Sequence, residues 1–209
     1  MDSNDAADLI TEVCEDDNNA ANERFRNRAA LLIAVLAAVL AIGGLGGGNA
    51  TDDMIGHNIH AGDAWAFYQA KNIRQNMYRL AADDVEAELA SGSLAGQART
   101  AAEERLGKYR ATVDRYESEP DPKAPDDPLR GEGKKEIMAR AKAFEAARED
   151  ASLRDTSFDL AEVALQLAIV LGSVAILAVN RWILGLSLGL GVLGAILTAN
   201  GFVLLVPLG

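Results

Sequence analysis

Long apolar runs alternate with charged stretches along this chain, and the runs are too long to be core segments of a soluble domain. Residues 29–48 read AALLIAVLAAVLAIGGLGGG, and residues 182–206 likewise hold no ionisable side chain. A third run, 160–179, almost abuts the last. Roughly 20 apolar residues in helical form cross the hydrocarbon core of a bilayer. The pattern predicts an all-α membrane protein with three transmembrane helices and a helical, coiled-coil-like polar domain inserted between the first and second.

The insert, residues 49–158, carries 16 Lys/Arg and 21 Asp/Glu. Each charge at the bilayer centre costs at least ~2.5 kcal/mol, so the two textures need different solvents. Three helices are expected in the insert, at about 63–90, 94–117 and 134–158. In the first, Ala66, Ala70, Ile73, Met77, Leu80, Val85 and Leu89 recur at helical spacing. Ala102, Leu106, Tyr109, Val113 and Tyr116 step by 4, 3, 4, 3 and predict packing on a partner helix. Ile137, Ala141, Phe144, Ala147 and Ala151 form the third stripe. Residues 118–133 hold four of the five prolines and read as an exposed acidic loop.

Two boundaries stay open to local signals. The glycine cluster Gly43–Gly48 predicts a helix break after the first span. No Gly or Pro occurs from Lys134 until Gly172, which allows one helix to run into the second span. Against that, Thr156 with Asp159 matches a capping box that would start the span afresh.

Charge sets orientation and excludes some partners. Arg24, Arg26 and Arg28 precede the first span, whereas Asn49 to Gly62 carries Asp52 and Asp53 but no Lys or Arg. Basic flanks stay cytoplasmic. The N-terminus is therefore expected in the cytoplasm, the insert in the periplasm, and the link Asn180–Arg181–Trp182 in the cytoplasm. Lys142, Arg148 and Arg154 before the second span point the other way, although long domains cross largely regardless of charge. A net charge of −11 argues against nucleic-acid binding. Residues 1–28 read as an acidic, disordered tail with a short amphipathic turn at Leu9, Ile10 and Val13. That tail is unlike the basic start of a signal peptide, so the first span is expected to be a retained anchor. Cys14 is the sole cysteine, and no intrachain disulfide can form.

The candidate residues are few. Trp65, Tyr68, Lys71 and Asn72 form a dense aromatic and polar cluster on one helix, a candidate interaction surface for a headgroup or partner, or else a packing seam. Glu162 and Gln166 share one face of the second span, and an intramembrane carboxylate is a functional candidate by default. Ala164, Ala168 and Gly172 on the second span and Gly185 and Gly189 on the third are candidate helix-packing positions, because small residues let backbones approach. His57, His60 and Asp63 read H-x-x-H-x-x-D without a third strong ligand, so no metal site is expected. No phosphate loop, dinucleotide fingerprint or hydrolase motif occurs, and neither a catalytic residue nor a cofactor is expected.

DAWAFYQAKNIRQNMY at Asp63–Tyr78 and FDLAEVALQLAIVLGSVAILAVNR at Phe158–Arg181 resemble a bacterial inner-membrane family, domain of unknown function 4337. In it a "WAYYQAK"-like helix and a "DLAEALLQIAIVLASVALL"-like span recur around a variable helical middle. Phe67 stands where that pattern usually has Tyr. The resemblance covers nearly the whole chain from about Arg24 and implies membrane location, but no activity and no site residues. The expected function is a non-enzymatic inner-membrane scaffold whose partners are the lipid bilayer and either itself or another membrane protein. The alternative is an ion-conducting or energy-coupling subunit, by analogy of layout with the proton-channel subunits of the Ton and Tol systems. Glu162, Gln166 and Thr198 would then be the polar pore candidates.

Overall fold

The computed structural model describes residues 3–208, with side chains from Asn19 onward. Among them there are four helices: α1 Ser3–Ala90, α2 Gln97–Glu117, α3 Lys134–Ala178 and α4 Arg181–Val203. Among the described residues the sole β feature is an isolated bridge between Pro120 and Gly131. Three helices are long and apolar enough to cross a membrane: α1, within its stretch Asn19–Ala90, α3 and α4. The chain divides into two units, Met1–Asp52 with Ala151–Gly209, and Asp53–Asp150.

Helix continuity departs from the sequence reading at three places. The tail expected to be disordered belongs to α1, which runs from Ser3. Neither Gly nor Pro interrupts the chain before Gly43. Gly43–Gly48 does not break α1 either. Gly46 and Gly47 admit neighbouring side chains instead: a Cβ at Gly46 would stand 2.5 Å from the Phe158 ring and 2.9 Å from Phe202, and one at Gly47 3.2 Å from Phe158. In an apolar setting the ladder must continue, since broken backbone groups would find no water. Thr156 starts no new helix, because α3 is continuous there and its hydroxyl donates to the Ser152 carbonyl at 3.0 Å, one turn back.

In the first unit the core is Leu36, Leu165 and Ala168, flanked by Leu32, Val39, Leu40, Ile169 and Leu190. Ser187, Gly191, Gly194, Thr198 and Gly201 form the buried face of α4. Ser187 Oγ donates to the Ala168 carbonyl at 2.6 Å, a hydrogen bond between helices. Asn200 Nδ2 donates to Ser157 Oγ at 3.1 Å and to the Val206 carbonyl at 2.8 Å, while its Oδ1 accepts from Val206 N at 2.9 Å. The α3–α4 link is short because Asn180 caps α4, its side chain accepting from Trp182 N and Ile183 N.

In the second unit α2 packs on α1 through tyrosines: the rings of Tyr109 and Tyr116 each lie 5.8 Å from that of Tyr78. Helix α3 packs on α1 through Ile137 and Ala141 against Ala64, Trp65 and Tyr68. The proline loop closes where Glu132 N donates to the Glu119 carbonyl at 2.9 Å. Gly131 sits at φ 122° there, a conformation that suits glycine.

Candidate functional site

Helix α1 carries two rows at heptad spacing through the second unit. Positions 64, 68, 71, 75, 78, 82 and 85 are buried or half-buried, and positions 66, 70, 73, 77 and 80 are exposed. Tyr68 and Lys71 of the candidate interaction surface lie on the inner row, and the half-buried Trp65 and Asn72 lie beside it. Lys71 is 5 % exposed. Its ammonium donates to the Glu132 carbonyl, lies 3.6 Å from a Glu119 carboxylate oxygen, and sits over the Phe67 and Tyr116 rings. Trp65 Nε1 donates to Glu145 Oε1 at 2.8 Å, and its ring meets Tyr68 edge to face. Asn72 Oδ1 accepts from Lys134 Nζ at 3.1 Å. These groups join α1 to α3 and to the loop, so their polar atoms point inward rather than toward a partner.

Four further residues complete this clamp and were missed in the sequence. Gln75, fully buried, donates through Nε2 to the Val113 carbonyl at 2.9 Å and to Glu117 at 3.1 Å. Lys134 approaches Glu117 at 3.2 Å. Hydrogen bonds from Gln75 and Lys134 hold the Glu117 carboxyl below its ordinary value. Burial raises the Glu136 carboxyl, but hydrogen bonds from Ser118 Oγ and Glu119 N outweigh it, and the net shift is downward. The signal available in the sequence was spacing: Gln75 lies seven residues after Tyr68 and four after Lys71.

The outer row is most of the apolar stripe that the sequence shows at helical spacing, and it faces outward. Ile73, Met77 and Leu80 are 62 %, 65 % and 66 % exposed; in that stripe Val85 is the buried member. An open groove of about 570 Å³ borders Met77, lined also by Arg74, Tyr78, Ala81, Tyr109 and Tyr116.

Of the packing candidates, Ala164 and Ala168 are buried, and a Cβ at Gly172 would stand 2.9 Å from Ile33. Gly185 and Gly189 lie outside the seam, with open space where a Cβ would stand. The seam of α4 uses Gly191 and Gly194 instead, where a Cβ would meet Leu36 at 2.5 Å and Leu165 at 2.6 Å. Glu162 and Gln166 are exposed on α3 and bonded to each other, Gln166 Nε2 donating to Glu162 Oε1 at 2.8 Å. Thr198 is buried, its hydroxyl bonded to the Gly194 carbonyl. His57 and His60 both lie against Phe144, with ring centroids 6.2 and 5.2 Å away.

No curated protein and no solved structure matches this chain. One family profile does, over residues 25–204, which takes in three span-capable helices, the clamp and the outer row. The chain belongs to the family described as Domain of unknown function (DUF4337).

Proposed function

We propose that this chain is a non-enzymatic scaffold of the bacterial inner membrane, anchored by three spans, that associates with itself through the outer row of α1. The N-terminus is cytoplasmic and the polar unit periplasmic in this reading. The observation that carries it is the exposed row Ile73, Met77 and Leu80, spaced 4 and 3, with the smaller Ala66 and Ala70 ahead of it. Such a seam pairs with a copy of itself, since each side chain fills a hole made by four residues of the facing helix. Copies in one membrane share an orientation, which favours parallel pairing. The flanking Gln69 and Asn76 bring no like charges together.

The test is disulfide trapping of the full chain in native membranes, with Cys14→Ser as background. Met77→Cys is expected to form a covalent dimer, whereas Arg79→Cys, one step off the row, is not. Ile73→Asp is expected to shift the detergent-extracted particle to monomer size. A chain that stays monomeric in membranes, with Met77→Cys uncrosslinked, overturns the reading.

A second reading, an ion-conducting subunit, draws on Glu162 and Gln166. Ionisable groups in spans almost always face a bundle interior or water, yet this pair is exposed in a single copy. Shielding by other copies would line a shared path. Loss of proton flux in Glu162→Gln vesicles, together with labelling of Ser93→Cys only after the inner membrane is opened, would favour it over the scaffold.

A further inference from the structure

Three arginines of the first unit converge on one cavity. Arg24 and Arg28 stand one turn apart on α1, and Arg181 opens α4; with Ala21, Phe25 and Leu184 they line a space of about 480 Å³. Among the residues whose side chains are described, from Asn19 onward, no carboxylate lies within 4.0 Å of any of the three. Like charges gathered without a counter-charge repel each other, and an anion between them relieves that repulsion.

The surroundings say which anion. Arg28 and Arg181 are the last charges before two stretches without ionisable groups, 29–48 and 182–206, and Arg24 lies one turn before Arg28. Trp182, 89 % exposed, is the next residue after Arg181, and Leu31, 68 % exposed, lies one turn beyond Arg28. Indole rings with apolar neighbours of this kind favour the level of lipid headgroups. The cavity walls match, with guanidinium forks for phosphate oxygens and Phe25 and Leu184 for glycerol and the first acyl carbons. The amides of Trp182 and Ile183 already donate to Asn180 Oδ1, so recognition falls to the side chains and not to the start of α4.

We infer that the Arg24–Arg28–Arg181 cavity binds the phosphate of an anionic phospholipid. Basic pockets between spans are suited to such headgroups, and each arginine near the surface contributes about fivefold in affinity. Arg26 lies between Arg24 and Arg28 in sequence, is exposed and does not line the cavity, which makes it a charge-matched control.

Native mass spectrometry of the full chain in detergent, titrated with phosphatidylglycerol or phosphatidylcholine, tests this. One phosphatidylglycerol is expected to bind in preference to phosphatidylcholine. Arg24→Gln, Arg28→Gln and Arg181→Gln are each expected to weaken it about fivefold, and the three together about 100-fold. The corresponding triple Lys variant is expected to bind between wild type and triple Gln, and Arg26→Gln to bind as wild type. Circular dichroism checks that helix content is kept. Equal weakening in Arg26→Gln, or equal binding of the two lipids, overturns the site. Stoichiometric displacement of the lipid by inorganic phosphate keeps the phosphate chemistry but overturns the lipid as its source.

Discussion

The two units are built from the same pair of helices, α1 and α3, yet they hold those helices together by opposite means. In the first unit the contact is backbone proximity: Gly46, Gly172, Gly191 and Gly194 admit Phe158, Ile33, Leu36 and Leu165. Its helices are long and apolar enough to cross a membrane, and where such helices lie in lipid apolar burial gains little, so close packing and a few hydrogen bonds between helices serve instead. In the second unit the hydrophobic centre is small, Ala64, Ile137 and Ala141. There a buried ionic and amide network around Lys71, Gln75, Lys134 and Glu136 does the joining. Such a network costs desolvation but fixes one register of α2, the loop and α3 on α1. The lesson is that the surroundings, and not the helix, decide which chemistry an interhelical seam uses.

The sharpest way to break this contrast is to add bulk to the first unit. Gly194→Leu would drive a side chain into Leu165 and toward the Ala161 carbonyl, and is expected to cost about 3 kcal/mol, read as thermal unfolding in detergent. Gly185→Ala with Gly189→Ala, in open space, is expected to stay within about 0.5 kcal/mol. The second unit answers to charge instead. Lys71→Met leaves the Glu132 carbonyl without its donor and removes the ammonium beside Glu119, and is expected to cost about 2 kcal/mol, read as lost protection of loop amides in hydrogen exchange.

Acid gives the smallest expected effect and the most selective one. Glu117 and Glu136 are both held below the ordinary value of 4.5, so the folded unit binds fewer protons there than the unfolded chain. Their contribution is present above pH 4.5 and is lost as pH falls through the depressed values. Near-ultraviolet dichroism from Tyr78, Tyr109 and Tyr116 is expected to fade over that range. Helix packing in the first unit is expected to stay unchanged; a parallel loss in both units would mean that one chemistry holds both.

Much of this was legible in the sequence, and the misses share a cause. The three span-capable runs, α2 and the proline loop follow from composition and period, which are local. The continuity of α1 past Gly43–Gly48 is not local, because it depends on Phe158 arriving from α3. The inner row of α1 was hidden by its chemistry. Lys71 and Gln75 look like surface residues until Glu132, Val113 and Glu117 supply their partners. The more apolar row, with Ile73, Met77 and Leu80, stands out in the sequence yet is exposed, because periodicity reports that a face exists and not what covers it. Gly185 and Gly189 show the same limit: a GxxxG pattern marks a smooth surface without naming a neighbour.

Asn200 leaves a different consequence. Its amide bonds Val206 through both its oxygen and its nitrogen, as a neighbouring peptide would, beyond the point where α4 stops at Val203. Removing Val206 would leave the buried Asn200 Oδ1 without its donor and Nδ2 with Ser157 alone, so the segment after α4 acts as a latch rather than as a fringe.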